Sequence, residues 1–334
     1  MFILSVIAIT VVMLITQINP ITIVQESFSV PKIKASGQVM GIVEIAERNE
    51  QLTVSKDDLT QEIIAPNKLI QPKTPIKKDV YMAPPDITAN SAVAFDLNSR
   101  KILYEKNGDV ISSIASITKL MTALVVLEQK PDFTKEYVID KEDRREGGRI
   151  FLFWGDRVTI DDLLHASLVG SGNTETIALV HSLGMTEADF VSKMNAKAAQ
   201  LGLRKTTFAD PVGLSPQNTS TAYELIEIAA AAFAQPKIQK AVLSDSYTLT
   251  TKQGKTRLIE STDNLLKTEK DYQILGGKTG YLGSAGFCFV GKFQNKDLQN
   301  DIISVILGSS GVDLRFSETE QLVNWVYENY VWSK

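Results

Sequence analysis

The chain contains 334 residues, 44% of them hydrophobic and 22% charged, proportions that exclude a wholly disordered, collagen-like or coiled-coil protein. The formal net charge is -4, so the chain lacks the excess of basic residues that nucleic-acid-binding proteins usually have, and we expect no nucleic-acid partner. A single cysteine, Cys288, excludes an internal disulfide, and the presence of only two histidines leaves little room for a zinc site.

The N-terminal segment, residues 1–24, carries no charged side chain. As a helix it would span about 36 Å, enough to cross a hydrocarbon core of roughly 30 Å. A cleavable signal peptide and a retained membrane anchor both remain open, because the segment has no positively charged start and no close small-residue cleavage site. Either alternative predicts that the rest of the chain lies outside the cytoplasm, on the periplasmic or cell-wall side.

Residues 25–88 are predicted to form a tether. They contain six of the 11 prolines, two of the 20 glycines and few aromatic residues, so they offer little material for a hydrophobic core. Such a segment is typical of a spacer that holds a domain away from a membrane.

A folded domain is predicted from Ala89 to residue 334. It begins with a hairpin and continues with several amphipathic or apolar helices, and its last part contains two buried strands and a closing helix. We therefore predict a helix-rich α+β domain whose first and last strands join one antiparallel sheet. The predicted strands are 91–97, 101–104, 286–293 and 302–307, and the predicted helices are 117–127, two within 161–183 broken at 170–172, 190–201, 222–234 and 318–330.

The first chemical motif is Ser116-Ile117-Thr118-Lys119. Positions i and i+3 of a helix share a face, with Cβ atoms about 5–6 Å apart. A serine hydroxyl and a lysine amine placed in this way can share a proton, which suits a serine nucleophile activated by a neutral lysine. A helix-capping serine with a solvated lysine is the alternative, because the motif alone is common by chance.

The second motif, Ser171-Gly172-Asn173, lies at the break between two predicted helices. Its glycine permits a sharp turn that brings both polar side chains to one side. The serine could relay a proton, and the asparagine could bind a substrate amide with both its donor and its acceptor. A simple helix N-cap is the alternative interpretation.

The third motif is Lys278-Thr279-Gly280, followed by Tyr281. A lysine ammonium and a threonine hydroxyl can bind a carboxylate. The glycine would let a ligand lie against an edge strand. A turn between two strands is the alternative interpretation.

The three motifs occur in a fixed order, 55 and then 107 residues apart. The trio S-x-x-K, S-x-N and K-T-G is known from class A β-lactamases and penicillin-binding proteins. From Ala89 to Trp332 the sequence resembles the low-molecular-mass penicillin-binding proteins, which are serine-type D-alanyl-D-alanine carboxypeptidases. The resemblance is carried by residues 115–128, 148–173, 190–214, 220–225 and 276–291.

The resemblance implies a β-lactamase/DD-peptidase-like fold, with an antiparallel sheet flanked by a helical subdomain and terminal helices. It also implies removal of the terminal D-alanine from peptidoglycan stem pentapeptides, acylation by β-lactams, and no need for a metal or cofactor. The implied catalytic residues are Ser116 as nucleophile, Lys119 as base and Ser171 as proton donor to the leaving group. Asn173, Lys278, Thr279, Gly280 and Tyr281 would bind the substrate, Tyr281 through an oxyanion-binding backbone N–H that acts with that of Ser116.

The proposed base requires a neutral lysine. Free lysine has a pKa near 10.4, so Lys119 needs a pKa near 7 to be useful at neutral pH. Burial of the amine and the positive charge of Lys278 are expected to lower it. Arg149, Arg204 and Arg257 could assist in binding a carboxylate, although surface charge is the simpler interpretation of each.

Two tracts depart from the family pattern. The family usually continues Ser-Gly-Asn with Asp-Ala, where this chain has Thr174-Glu175, and a usual Asn-Thr-Asn tract is replaced by Ser261-Thr262-Asp263. We expect both departures to affect the substrate pocket. The chain has one predicted helix after the last strand, so we expect any membrane attachment to come from the N-terminus.

Three other functions remain open. A DD-endopeptidase would use the same site to cleave peptidoglycan cross-links. A class A β-lactamase would also carry a Glu-x-x-Leu-Asn tract between the second and third motifs, and the chain has none. A non-catalytic sensor of β-lactams or wall peptides would not require Ser116 and Lys119 together.

Overall fold

The computed structural model describes residues 74–78, 82–296 and 300–332. The chain divides into two compact units, residues 1–69 and 70–334, and only the second contains described residues. The predicted signal or anchor segment and most of the predicted tether therefore lie outside the described residues. No helix within the described ranges is long and apolar enough to cross a membrane.

The described unit contains one large sheet, four two-stranded pairs and seven α-helices in its described ranges. The strands are β1 (Ile76–Lys77), β2 (Ser91–Asp96), β3 (Lys101–Lys106), β4 (Ser112–Ser113), β5 (Glu136–Val138), β6 (Arg157–Thr159), β7 (Thr219–Ser220), β8 (Ser246–Thr250), β9 (Thr256–Glu260), β10 (Tyr272–Leu282), β11 (Gly286–Asn295), β12 (Asp301–Ser309) and β13 (Tyr330–Val331). The helices are α1 (Thr118–Glu128), α2 (Ile160–Val169), α3 (Asn173–His181), α4 (Glu187–Gln200), α5 (Ala222–Phe233), α6 (Pro236–Val242) and α7 (Leu314–Asn329).

The large sheet is antiparallel and has the strand order β10-β11-β12-β2-β3. The predicted N-terminal hairpin thus pairs with a C-terminal strand, since Val93 of β2 lies opposite Val305 of β12. This pairing confirms the prediction that strands from both ends of the domain share one sheet. Strand β10, which carries the third motif, lies at the edge of the sheet.

Both faces of the sheet are covered by helices, and neighbouring residues of each central strand therefore enter different cores. Val93 and Val305 pack in a cluster with α1 and α5. Ala92 and Ile306 pack in a second cluster with α7. Helix α1 is buried from residue 118 to residue 126, as expected of a helix that is apolar around most of its circumference.

The break predicted at residues 170–172 separates α2 from α3, and the remaining predicted helices correspond to α1, α4, α5 and α7. Several elements were missed, among them one helix and one hairpin. Helix α6 begins at Pro236, where we expected only the end of α5, because proline is well suited to the first turn of a helix. The hairpin β8–β9 was also missed, since mostly half-exposed or exposed polar residues give it a weak alternation.

The domain includes residues N-terminal to Ala89, the predicted boundary. Ile76 and Lys77 of β1 pair with β13, and the backbone N–H of Lys78 donates to the carbonyl of Asn329 at 2.6 Å. Ile87 is buried in the core against α7. These contacts are made mainly by backbone atoms and one apolar side chain, so composition gave no sign of them.

Candidate active site

The three sequence motifs meet at one cleft of about 540 Å³. The cleft lies between edge strand β10, the turn between α2 and α3, and the turn before α1. Ser116, Ser171, Asn173, Thr279, Gly280 and Tyr281 line it. The side chains of Lys119 and Lys278 are buried and reach Ser116 and Ser171, respectively. The structure therefore brings together all eight residues predicted from the sequence.

Ser116 lies in a short 3-10 turn, Ala115–Ile117, directly before α1. Ala115 has a φ of 47°, a left-handed conformation that is uncommon for a residue with a side chain. Gly213 packs against this turn, and a Cβ atom there would lie 2.0 Å from the carbonyl oxygen of Ala115. Ser116 is thus presented by a strained turn that requires a glycine as its neighbour.

Lys119 makes three close polar contacts. Its Nζ lies 3.0 Å from Oγ of Ser116, and it donates to Oδ1 of Asn173 and to the carbonyl of Val212, each at 2.7 Å. A neutral amine has two N–H donors and one lone pair, so it satisfies this arrangement if the Ser116 hydroxyl donates to it. The geometry fits the proton acceptor that the first motif predicted.

Burial lowers the pKa of Lys119 to about 7, against the opposing effect of Asp210 and Glu175. The charge of Lys278 was also expected to lower this pKa. Repulsion between the two amines is mutual, and the contribution of Lys278 to the pKa of Lys119 stays a prediction. The pKa of Lys278 lies well below its usual value, first because of burial and then because of the charges of Lys119 and Arg315.

The second motif occupies the turn between α2 and α3. Ser171 has a φ of 57°, again left-handed for a residue with a side chain, and Nζ of Lys278 donates to its hydroxyl at 2.9 Å. Gly172 is the N-cap of α3, and a Cβ atom on it would lie 2.1 Å from Oε2 of Glu175. The close packing of this turn explains why the middle position of the motif is a glycine.

The third motif lies on β10 beside the first. A Cβ atom on Gly280 would lie 2.8 Å from the carbonyl oxygen of Ile114, so glycine allows the strand to approach the turn that carries Ser116. The hydroxyls of Thr279 and Thr262 are 2.7 Å apart. Lys278 also donates to the carbonyl of Thr279 at 3.1 Å. The strand therefore holds one hydroxyl and one amine close to Ser116 and Ser171.

Arg315 is a cleft residue that was not predicted from the sequence. It lies in the first turn of α7, lines the cleft, and donates from Nη1 to the carbonyl of Gly280 at 3.1 Å. Its Nε has no hydrogen-bond partner within the described part of the chain. Of the three arginines considered from the sequence, Arg149 lines the cleft, where it forms an exposed ion pair of 3.7 Å with Glu260.

Most of the chain that forms this cleft matches a known protein family. The family model for the peptidase S11 group, the D-alanyl-D-alanine carboxypeptidases, matches residues 78–311. The chain belongs to this family. The resemblance inferred from the three motifs is thereby confirmed.

Curated relatives from this family include both carboxypeptidases and endopeptidases. The D-alanyl-D-alanine carboxypeptidase DacF of Bacillus subtilis is 30% identical over 249 residues, 72% of this chain and 63% of the relative. A D-alanyl-D-alanine endopeptidase of Pseudomonas aeruginosa is 30% identical over 243 residues, 72% of this chain and 78% of the relative. The chain thus spans less than two thirds of the length of the Bacillus relative.

Solved structures confirm the predicted fold class. The crystal structure of the Streptomyces K15 DD-transpeptidase aligns with a TM-score of 0.68 and 28% sequence identity, covering 74% of this chain and 100% of that chain. This S11 protein therefore has the α+β fold of the DD-peptidases, with the helical subdomain beside the antiparallel sheet.

Proposed function

We propose that this protein is a serine-type D-alanyl-D-alanine carboxypeptidase that removes the terminal D-alanine from peptidoglycan stem peptides. The observation that carries the proposal is the pair of lysine–serine contacts in one cleft, Lys119 with Ser116 at 3.0 Å and Lys278 with Ser171 at 2.9 Å. One pair provides an activated nucleophile, and the other provides a proton donor for the leaving group.

In the acylation step, Oγ of Ser116 attacks the carbonyl carbon between the two D-alanines while its proton passes to Nζ of Lys119. The negative charge on the carbonyl oxygen is stabilised by the backbone N–H groups of Ser116 and Tyr281, both of which belong to cleft-lining residues. The C–N bond then breaks, and Ser171 transfers its proton to the departing amine. The proton that Lys119 took from Ser116 replaces it on Ser171, so Lys119 is neutral again once the acyl-enzyme has formed. The product is an ester between Ser116 and the shortened peptide.

In the deacylation step, a water molecule attacks this ester and loses a proton to the neutral amine of Lys119. The ester bond breaks, the shortened peptide leaves with a new carboxylate, and the proton returns to Oγ of Ser116. A β-lactam reacts by the same acylation step, because Oγ of Ser116 attacks the carbonyl carbon of its amide bond. The product is a covalent acyl-enzyme, so the protein is trapped in that form.

The substrate carboxylate is bound by Lys278, Thr279 and Arg315. A carboxylate beside two cationic side chains favours their protonated forms, which offsets the effect of burial on the pKa of Lys278. Recognition of this terminal charge directs the site to the last peptide bond of a stem peptide. Asn173 and Gly280 align the peptide backbone along β10.

The direct test is covalent labelling by a fluorescent penicillin together with an assay for D-alanine released from a free stem pentapeptide. We expect the wild-type protein to be labelled on Ser116 and to release D-alanine. The Ser116→Ala variant serves as the control and should do neither. Equal labelling of this variant, or an unlabelled wild-type protein, would contradict the proposal.

A DD-endopeptidase is the second candidate function. It is favoured by the relatives from Pseudomonas aeruginosa and Escherichia coli, which are named D-alanyl-D-alanine endopeptidases and are 30% and 29% identical to this chain. The same nucleophile would then cleave a cross-link between two stem peptides. Hydrolysis of a purified cross-linked dimer without release of D-alanine from the pentapeptide would favour this activity.

The proposed location is extracytoplasmic, with attachment to the membrane through residues 1–24 if that segment is retained. The uncharged N-terminal sequence supports this location, as does a cell-wall substrate. Mass spectrometry of the mature protein distinguishes a retained anchor from a cleaved signal peptide. An anchored protein keeps Met1 or its neighbour as its first residue, and a secreted protein does not.

A further inference from the structure

Glu175 is a completely buried carboxylate beneath the second motif, and the proposed mechanism gives it no role. It lies in the first turn of α3 with no exposed surface. Its Oε1 accepts hydrogen bonds from the backbone N–H groups of Phe151 and Leu152 at 2.9 and 2.8 Å. Its Oε2 has no hydrogen-bond partner among the described residues. Burying a charge in this way is costly unless the charge is compensated.

The loop that Glu175 binds forms one wall of the cleft. Gly147 and Arg149 of this loop line the cleft, and Gly147 has a left-handed φ of 83°. Nδ2 of Asn173 donates to the carbonyl of Gly147 at 2.8 Å, and the backbone N–H of Arg145 donates to the hydroxyl of Thr174 at 3.1 Å. Three consecutive residues at the start of α3 therefore hold this wall in place.

Glu175 also acts electrostatically on the base. Among the described residues, the charged groups that act on Lys119 come from three elements: Glu175 on α3, Asp210 between α4 and α5, and Lys278 on β10. The two carboxylates favour the ammonium form of Lys119, whereas Lys278 and burial disfavour it. Burial raises the pKa of Glu175 itself, opposed by its two hydrogen bonds from the loop and by the charge of Lys119.

We propose that Glu175 is a positioning residue that fixes the cleft wall at residues 147–152 and whose negative charge stabilises the ammonium form of Lys119, thereby setting the pH at which Ser116 is activated. This inference rests on the proposed function, because it requires Lys119 to be the proton acceptor. The two effects are separable, since Glu175→Gln removes the charge but keeps the acceptor oxygen, whereas Glu175→Ala removes both.

The test is the rate constant for acylation by a fluorescent penicillin, measured from acidic to alkaline pH. For Glu175→Gln we expect the acidic limb of the profile to move to lower pH by about one pH unit, so that acylation below neutral pH becomes several-fold faster than in the wild type. For Glu175→Ala we expect the same shift and a plateau about tenfold lower, because the wall is no longer held. Glu146→Gln is the matched control, since Glu146 is an exposed carboxylate on the same loop, and its profile should coincide with that of the wild type.

An acidic limb that does not move in Glu175→Gln would overturn the electrostatic part of the proposal, and an unchanged plateau in Glu175→Ala would overturn the positioning part. If the alanine variant does not fold, the glutamine variant decides the outcome alone, because a purely structural carboxylate cannot accelerate acylation when its charge is removed. Failure of the proposed function is a different result, in which the wild-type protein is not labelled on Ser116 at any pH.

Discussion

Nζ of Lys119 donates to Oδ1 of Asn173 at 2.7 Å, so the first and second motifs are joined by a direct hydrogen bond. Asn173 was predicted to bind a substrate amide with both atoms of its own amide. In the structure its other atom, Nδ2, donates to the carbonyl of Gly147. Both atoms of the Asn173 amide are therefore bonded within the protein, and Asn173 orients the amine of Lys119 towards Ser116. Its binding of a substrate amide stays a prediction.

This contact makes Asn173→Asp an informative variant. A carboxylate at this position would stabilise the ammonium form of Lys119 and raise its pKa. We expect acylation near pH 7 to fall by about tenfold or more, with recovery at higher pH. The measurement is the pH profile of penicillin acylation, and a uniform loss at every pH would show that the amide acts only through its shape.

The wild-type pH profile follows from the pKa of Lys119, which is about 7. Acylation requires the neutral amine, so the rate should rise with pH and reach half of its plateau near pH 7, with about tenfold loss for each pH unit below that. Lys119→Arg should lose acylation by at least about a thousandfold, since a guanidinium does not deprotonate. A profile that is flat through neutral pH would contradict a lysine base.

Gly213 supports the turn that carries Ser116, and Gly213→Ala should disrupt it. The new Cβ would lie 2.0 Å from the carbonyl oxygen of Ala115, at a residue whose φ is 86°. We expect a loss of about 3 kcal/mol or more in the free energy of unfolding and little acylation. Gly254→Ala is the matched control, because Gly254 has a φ of 81° and a Cβ atom there would meet no other atom within 4 Å. Thermal unfolding of this control variant should show only the cost of the backbone conformation, about 1 kcal/mol.

The location of the site residues could be predicted because they lie in short local patterns. Ser116 and Lys119 are separated by one helical turn, and Lys278 and Thr279 are adjacent on a strand, so each pair is fixed by its own segment. Arg315 could not be found in this way. It is 37 residues beyond Lys278 in the chain and reaches Gly280 only because α7 packs against the sheet.

The departures from the family pattern were recognised in the sequence, but their contacts were not. Glu175 resembles an ordinary polar residue near a helix start, and only the tertiary fold buries it against the loop at Phe151. The contacts of Asp263 could not be predicted either, because the fold places its carboxyl against the backbone of Gly277 on β10. The partners of a buried charge come from distant segments, so periodicity and spacing do not reveal them.

The hydroxyl pair formed by Thr262 and Thr279, 2.7 Å apart, predicts an effect on substrate binding. Thr262→Val keeps the shape of the side chain but removes the hydroxyl that orients Thr279. We expect KM for a substrate with a free carboxylate to rise about fivefold, the equivalent of one hydrogen bond of about 1 kcal/mol, with kcat little changed. Thr250→Val provides the control, because Thr250 and Thr256 form a similar exposed pair at 3.2 Å in the hairpin β8–β9, and it should leave KM unchanged.

Asp263 gives a prediction for stability against pH. Burial raises its pKa from the ordinary 3.8 to about 6, although the backbone N–H of Leu265 and the charges of Lys278 and Arg315 oppose this shift. The folded protein therefore binds this proton more tightly than the unfolded chain, so the carboxyl destabilises the fold increasingly as pH rises from about 4 to 6, and by about 3 kcal/mol at higher pH.

Replacement of Asp263 by asparagine removes this penalty while keeping an oxygen that can accept from Leu265, as the aspartate does at 2.9 Å. We expect Asp263→Asn to be more stable than the wild type by up to about 3 kcal/mol near pH 7 and equally stable below pH of about 4. Urea unfolding of both proteins across this range provides the measurement. Asp245→Asn is a suitable control, since Asp245 is exposed, and its stability difference should not change with pH in this way. A constant difference between Asp263→Asn and the wild type at every pH would show that the substitution acts through packing and not through the buried charge.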